Sequence, residues 1–206
     1  MHELIRSNYS TYTNFSDGSR ERHHLRLSGT LLLSILLVLF STNISSAYSI
    51  IVTGITILTG FVFTALFSNA TLAEVGLPPA KDETDRHDLK KLGSLAQNFK
   101  ARSRYFITLS ILDTVIMVFT GLQFSAPKWV GKKLIEVAVY VQSQTGVSLV
   151  GYVEAASSVF SASFGIIIIF IFLECLYTFY RLTETVISLI DTRRDYMKAA
   201  EDRHNH

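Results

Sequence analysis

The segment Val159–Tyr180 reads VFSASFGIIIIFIFLECLYTFY, and Glu174 is its one charged residue. As an α-helix it would extend about 33 Å, at about 1.5 Å per residue. That length crosses the hydrocarbon core of a bilayer, which is about 30 Å thick. Three further segments are similarly apolar: Leu27–Ala47, Ser49–Phe67 and Tyr105–Phe124. The pattern predicts four transmembrane helices.

The composition agrees with this interpretation. Apolar residues make up 49% of the 206 residues, and the mean hydropathy is +0.32. A net charge of +2 is too small to indicate direct binding of nucleic acid, and the single cysteine excludes a disulfide within the chain. We therefore predict an all-α integral membrane protein, a four-transmembrane-helix bundle with cytoplasmic helical extensions.

The polar residues between the apolar segments define the organisation of the chain. Only a short uncharged turn separates the first two spans, so we expect them to form a tight helical hairpin. The first predicted region is a cytoplasmic N-terminal arm without helical periodicity (1–26), which is followed by a transmembrane hairpin (27–67). A cytoplasmic loop (68–104) then carries an amphipathic helix that runs into the third span. Spans three and four (105–180) have an interfacial segment between them (125–156), and a cytoplasmic C-terminal helix follows (181–206).

Basic residues indicate the orientation. They precede the first span, occupy the loop 68–104 and follow Tyr180, whereas the segment 125–156 has only Lys128, Lys132 and Lys133. Short cytoplasmic loops carry such an excess of Lys and Arg. We therefore expect a multi-pass protein of the cell inner membrane, in contact with the lipid bilayer, with both termini in the cytoplasm.

Two carboxylates, Asp113 and Glu174, lie inside predicted spans. Both fall roughly 10–13 Å from the cytoplasmic end of their span, at about 1.5 Å per residue, and no Lys, Arg or His inside a span supplies a counter-charge. One interpretation is a proton or cation site, either shared within one subunit or arranged around the axis of an oligomer. The other is a structural polar contact. In both cases we expect at least one of the two acids to be protonated at neutral pH.

Small residues recur every fourth position in two spans and would allow another helix to approach closely. They are Thr56, Gly60 and Thr64 in the second span, and Ser161 and Gly165 in the fourth. The second-span row could pack against the first span of the same hairpin, or form an interface between subunits. Because two such faces exist, we expect a homo-oligomer.

Two apolar faces outside the spans are candidates for docking a cytosolic protein partner. They consist of Leu89, Leu92 and Phe99 before the third span, and Val186, Ile190 and Met197 after the fourth. The sequence has no nucleophile elbow, no phosphate-binding glycine loop and no histidines with the spacing of metal ligands. We therefore expect neither enzymatic activity nor a metal or cofactor.

Two classes of function fit these features. The first is a membrane subunit that oligomerises and anchors, senses for or regulates a cytosolic effector. The second is a small oligomeric cation or proton channel lined by Asp113 and Glu174. In length and topology the chain resembles small multi-pass components of bacterial anti-phage systems, and in particular is similar to the membrane subunit of the Kiwa system. That resemblance implies antiviral defence by an inner-membrane oligomer that recruits a cytosolic effector.

Overall fold

The computed structural model describes residues 2–11, 23–40, 44–72, 77–121, 140 and 149–203. These residues form five α-helices and no β-strand. The helices are α1 (His2–Ser10), α2 (His23–Phe40), α3 (Ile44–Leu72), α4 (Glu83–Gly121) and α5 (Leu149–Asp202).

The helices confirm the coarse prediction. Four of them, α2 to α5, are long and apolar enough to cross a membrane. The amphipathic helix before the third span is continuous with that span in α4, as expected, and α5 begins at Leu149 and continues through the fourth span to Asp202. The first region differs from the prediction, because residues 2–10 form α1 and residues 23–26 already belong to α2. The predicted interfacial segment lies largely outside the described residues, and its end from Leu149 is the start of α5.

Local sequence explains where α4 begins. Pro78 and Pro79 precede the helix and cannot donate backbone hydrogen bonds to it. The Asp82 carboxylate then accepts the backbone N–H of Asp85 at 2.8 Å, which caps one of the free N–H groups of the first turn. In return the Asp85 side chain accepts the N–H of Lys81 at 3.0 Å. This reciprocal cap lets a helix of 39 residues start in a polar segment.

The antiparallel pair of α4 and α5 is the centre of the fold. Phe106 contacts Phe179, with ring centroids 6.0 Å apart, and farther along the pair Met117 packs with Ile168. Helix α3 packs mainly on α4, and α2 packs mainly on α5. The hairpin of the first two spans stays a prediction: α2 ends at Phe40 and α3 begins at Ile44, and each of them packs mainly on a helix of the central pair.

The same two helices extend beyond the apolar segments as a pair that we call the stalk, made of residues 83–104 of α4 and 181–202 of α5. Each part would be about 33 Å long at about 1.5 Å per residue. Leu92, Leu95 and Leu189 form the core of the stalk. At its tip, Arg203 pairs with Asp82 at 2.9 Å and with Asp85 at 2.7 Å, so the end of the α5 region is tied to the cap of α4.

The outside of the bundle is apolar. Leu39, Phe40, Ile50, Phe61 and Phe160 each have more than half of their surface exposed. In water such a continuous apolar surface is unfavourable, whereas a lipid-embedded bundle requires it. Hydroxyl groups on these helices bond to the carbonyl four residues earlier, as Thr56 does with Val52 at 2.8 Å and Thr64 with Gly60 at 3.0 Å. Such bonds satisfy polar side chains where water is absent.

Candidate functional site

A cluster of charged and aromatic side chains lies where the stalk joins the bundle. Its centre is Glu174 of α5, whose side chain is only 3% exposed. The Glu174 carboxylate accepts hydrogen bonds from both terminal nitrogens of Arg26: Nη1 donates to Oε2 and Nη2 to Oε1, each at 2.9 Å. This two-point geometry is the strongest form of Arg–carboxylate contact. The predicted absence of a counter-charge is therefore wrong for Glu174.

Aromatic rings surround the ion pair. The Arg26 guanidinium lies 3.9 Å from the centroid of the Tyr177 ring, within the range of a cation–π contact. The Tyr9 hydroxyl donates a hydrogen bond to Glu174 Oε1 at 3.0 Å and lies 3.5 Å from the hydroxyl of Tyr105. Burial raises the pKa of Tyr9 to about 12, so its phenol stays protonated and able to donate at neutral pH.

Arg102 is a second buried cation near the same junction, and its residue is 2% exposed. Its Nε donates to Thr11 Oγ1 at 3.0 Å, and its Nη2 donates to the Thr11 carbonyl at 2.7 Å. Its Nη1 donates to the Arg181 carbonyl at 2.8 Å and to the hydroxyl of Thr185. One guanidinium thus joins the end of α1 to α5 at the first turn of the stalk.

Asp113 occupies a different environment from Glu174. It is fully buried, and its two carboxylate oxygens have no hydrogen-bond partner among the described residues. The thiol of Cys175 on α5 interacts electrostatically with Asp113 and lies within hydrogen-bond reach of Ser110 on α4. Because Asp113 and Glu174 do not bond to each other, they do not share a proton in the way the sequence allowed. An ionised carboxylate is costly in such a place, so the neutral acid is the form that this burial favours.

The small-residue rows of the two spans lie in different surroundings. Thr56, Gly60 and Thr64 are exposed on α3, and a Cβ added at Gly60 would meet no atom within 4 Å. In the described part of the chain α2 does not cover this row, which is exposed and borders a groove between α3 and α4, so packing against the first span is not supported. In α5, Ser161 is exposed but Gly165 is buried, so that second row does not form one continuous outer face.

The candidate docking residues also differ from one another in exposure. Leu92 and Phe99 are 3% and 4% exposed and belong to the core of the chain. Leu89 and Val186 are half-buried against these cores. The amphipathic face of α4 was therefore correctly recognised but wrongly assigned to a partner, because α5 covers it. Ile190 and Met197 remain exposed, at 48% and 40%.

Sequence reasoning missed Tyr9, Arg26 and Arg102. The signal for Arg26 was its position directly before the first apolar segment, from where a long side chain can reach a carboxylate at the same depth. Tyr9 and Arg102 carried no comparable signal, because their contacts join α1 to residues more than 90 positions away. The described residues contain no group of three or more His, Cys, Asp or Glu side chains able to hold a metal ion.

No protein-family profile matches the chain, and the comparisons with curated proteins and with solved structures find no significant match.

Proposed function

We propose that this chain is a membrane-anchored docking subunit, in which the bundle holds the stalk in a fixed position and the stalk binds a soluble protein. The observation that carries the proposal is an exposed apolar row on the stalk part of α5. This row consists of Ile187, Ile190 and Met197, which are 55%, 48% and 40% exposed, whereas Leu189 in the same part of α5 is buried. We call these three residues the docking face.

The spacing of the docking face supports helix recognition. Ile187, Ile190, Arg194 and Met197 follow one another at intervals of three and four residues, which is the pattern of a coiled-coil seam. Arg194, within this row, pairs with Asp191 at 3.1 Å, so charged groups lie next to the apolar side chains. A partner helix with its own apolar row would bury the isoleucines and methionine against this seam. A rim of charge around an apolar centre is also the usual composition of a protein interface.

The location of the partner follows from the basic residues of the chain. The stalk carries Lys90, Lys91, Lys100, Arg193 and Lys198, so the positive-inside rule supports a stalk in the cytoplasm, with the partner there. The resemblance to the membrane subunit of the Kiwa system supports a more specific version of the proposal. In that version the chain is an inner-membrane sensor for antiviral defence, and its partner is the effector.

We also propose that the subunit forms a homo-oligomer through the exposed α3 row of Thr56, Gly60 and Thr64. Among the described residues none lies within 4 Å of a Cβ added at Gly60, and a position without a side chain allows close approach of a second copy. A neighbouring groove of about 270 Å³ between α3 and α4 is lined partly by Thr56, Thr59 and Ser110, which adds hydroxyl groups to this surface.

The alternative of a cation or proton channel has less support. Asp113 and Glu174 are 0% and 2% exposed and face the interior of one bundle. A ring of acids around an oligomer axis would require them on the outer surface of each subunit. In addition, the Arg26 guanidinium holds the Glu174 carboxylate, which leaves it less available to a passing cation.

One experiment separates these two functions. The purified protein is reconstituted into liposomes, and dissipation of an imposed proton or potassium gradient is measured. In parallel, native membranes are solubilised and the soluble proteins that copurify with the wild type are compared with those that copurify with an Ile190→Asp, Met197→Asp variant. We expect no flux above that of empty liposomes and a soluble protein that the variant loses. Flux that disappears in Asp113→Asn would instead support the channel.

A further inference from the structure

In the described part of α1, the polar contacts with the bundle come from its last turn and from Thr11. Among the α1 side chains that the structure describes, Asn8 is buried and Tyr9 is half-buried, whereas Glu3, Arg6, Ser7 and Ser10 are exposed. Ile5 is 38% exposed, so a large part of its side chain is covered. Thr11 directly follows the helix and donates its backbone N–H to the Asn8 carbonyl at 3.0 Å.

The contacts of this last turn are polar and aromatic. Tyr9 donates to Glu174 at 3.0 Å, and its ring lies 5.0 Å from that of His23 and 6.0 Å from that of Tyr105. Thr11 accepts two hydrogen bonds from Arg102. Water can replace each of these hydrogen bonds once the contact opens, so each contributes much less to docking than its strength in the absence of water.

The length of α1 means that docking and helix formation depend on each other. A helix of nine residues is not stable in water without packing against a surface. When the contacts of Tyr9 and Thr11 open, α1 therefore loses both its position and its helical structure. Such a change from order to disorder is a common basis of switches.

Arg102 connects this change to the stalk. Its Nε and Nη2 hold Thr11, while its Nη1 holds the Arg181 carbonyl and the Thr185 hydroxyl at the first turn of the stalk part of α5. When Thr11 moves away, Arg102 loses the two hydrogen bonds on one edge of its planar guanidinium. The orientation of the guanidinium is then less fixed, which weakens its hydrogen bonds to Arg181 and Thr185 on the other edge. This weakening affects the part of α5 around Thr185, directly before Ile187, which is the first residue of the docking face.

We infer that α1 is a releasable latch, which closes on Glu174 through Tyr9 and on Arg102 through Thr11, and whose opening loosens the junction between the bundle and the stalk. That the latch regulates partner binding rests on the proposed docking function. The latch itself can be measured without a partner, so that failure of one proposal is distinguishable from failure of the other.

Amide hydrogen exchange of the full chain in lipid nanodiscs tests the latch. We compare Tyr9→Phe and Thr11→Val with matched controls that remove the same groups elsewhere. Tyr196→Phe deletes a hydroxyl that donates to the Pro78 carbonyl at the stalk tip, and Thr53→Val deletes an exposed hydroxyl bonded to its own helix. The readouts are residues 2–11 for the latch, 182–187 for the stalk junction and 105–113 for the bundle core.

We expect residues 2–11 of the wild type to exchange more slowly than a free peptide but faster than the bundle core. Tyr9→Phe and Thr11→Val should each raise their exchange rate roughly tenfold, which is the effect of one hydrogen bond to a charged group. Thr11→Val should also raise the rate of residues 182–187, while both controls leave residues 2–11 and 182–187 unchanged.

Three results would overturn the inference. The first is exchange of residues 2–11 that neither Tyr9→Phe nor Thr11→Val alters. The second is wild-type protection of α1 equal to that of the core, because the latch would then never open separately. The third is exchange of residues 182–187 that stays constant while α1 is released. If Tyr9→Phe also raises the exchange rate of the core residues 105–113, the Thr11→Val variant alone tests the latch, because Thr11 is only half-buried.

Discussion

Arg26 and Glu174 are 148 positions apart in sequence and meet through two hydrogen bonds of 2.9 Å each. The pair joins the first turn of α2 to the middle of α5, and the Arg26 and Glu174 side chains are 17% and 3% exposed. It is therefore a nearly buried ion pair, in which each group depends on the other. It also explains why α2 packs on α5.

Removal of one partner of this pair should be more harmful than removal of both. Arg26→Leu leaves the Glu174 carboxylate buried without its cation, which costs about 3 kcal/mol or more. The double variant Arg26→Leu, Glu174→Leu should recover much of that loss, because no isolated charge remains. The measurement is thermal unfolding in detergent, with Arg194→Leu at an exposed pair as the control, where we expect a change of about 0.5 kcal/mol or less. Equal losses in the single and the double variants would contradict this assignment.

The two intramembrane acids should respond differently to substitution. Asp113 has no hydrogen-bond partner among the described residues, so Asp113→Asn and Asp113→Leu remove no hydrogen bond that the structure describes. We expect both variants to unfold within about 1 kcal/mol of the wild type or to be more stable. Glu174→Leu, in contrast, leaves Arg26 and Tyr9 without their acceptor and should be strongly destabilising. Thermal unfolding of the three variants, side by side, checks this; a clear loss in Asp113→Leu would reveal a contact that the bundle depends on.

Adjacent positions on the stalk should separate its core from its docking face. Leu189 is 1% exposed and Ile190 is 48% exposed. We expect Leu189→Ala to destabilise the protein by about 2–5 kcal/mol, the usual cost of truncating a core leucine. Ile190→Ala should change the stability by about 0.5 kcal/mol or less, as is usual for surface positions. Chemical denaturation followed by circular dichroism measures both, and similar losses at the two positions would mean that the stalk packs differently.

The tip of the stalk should weaken in acid. The Lys81 N–H and the Arg203 guanidinium hold the pKa of Asp85 below its usual value, which is about 3.9. The stabilisation is therefore complete above that value and is lost as the pH falls below it. Asp85→Asn should lower the melting temperature at pH 7, and the difference from the wild type should shrink as the pH falls below about 3.9, the usual pKa, and disappear only below the lowered pKa of the folded state. The exposed Asp195→Asn serves as the control, and a difference that stays constant with pH would refute the assignment.

Assembly should depend on Gly60 but not on Gly29. In the described part of the chain, a Cβ added at either glycine has no neighbour within 4 Å beyond its own stretch of helix, so Gly60→Leu and Gly29→Leu should both leave the fold of one chain intact. Only Gly60→Leu places a large side chain on the proposed α3 interface, where it prevents close approach. Native mass spectrometry should show a smaller assembly for Gly60→Leu and the wild-type assembly for Gly29→Leu. A monomeric wild type would rule out the oligomer altogether.

Much of the fold could be predicted because its signal is local. Helices α2 to α5 follow from apolar length, and the continuity of α4 follows from the spacing of Leu92 and Phe99. Pairing of the helices was not predictable in this way. Apolar segments such as α2 and α3 are similar on all sides, so nothing local indicated that α2 prefers α5. The choice depends on single polar contacts between distant residues, of which the bond between Arg26 and Glu174 is the clearest.

The proposed docking function requires that the exposed side of the stalk binds a soluble protein. The direct measurement is photo-crosslinking in the native cells, with a benzophenone amino acid at Ile190 and, as a control, at the exposed Lys91 on the other helix of the stalk. We predict a crosslink from position 190 to one soluble protein, identified by mass spectrometry, that then binds the purified chain directly and is absent at position 91. Crosslinks from position 190 only to lipid or to a second copy of the chain, or equal crosslinking at both positions, would contradict the proposed docking function.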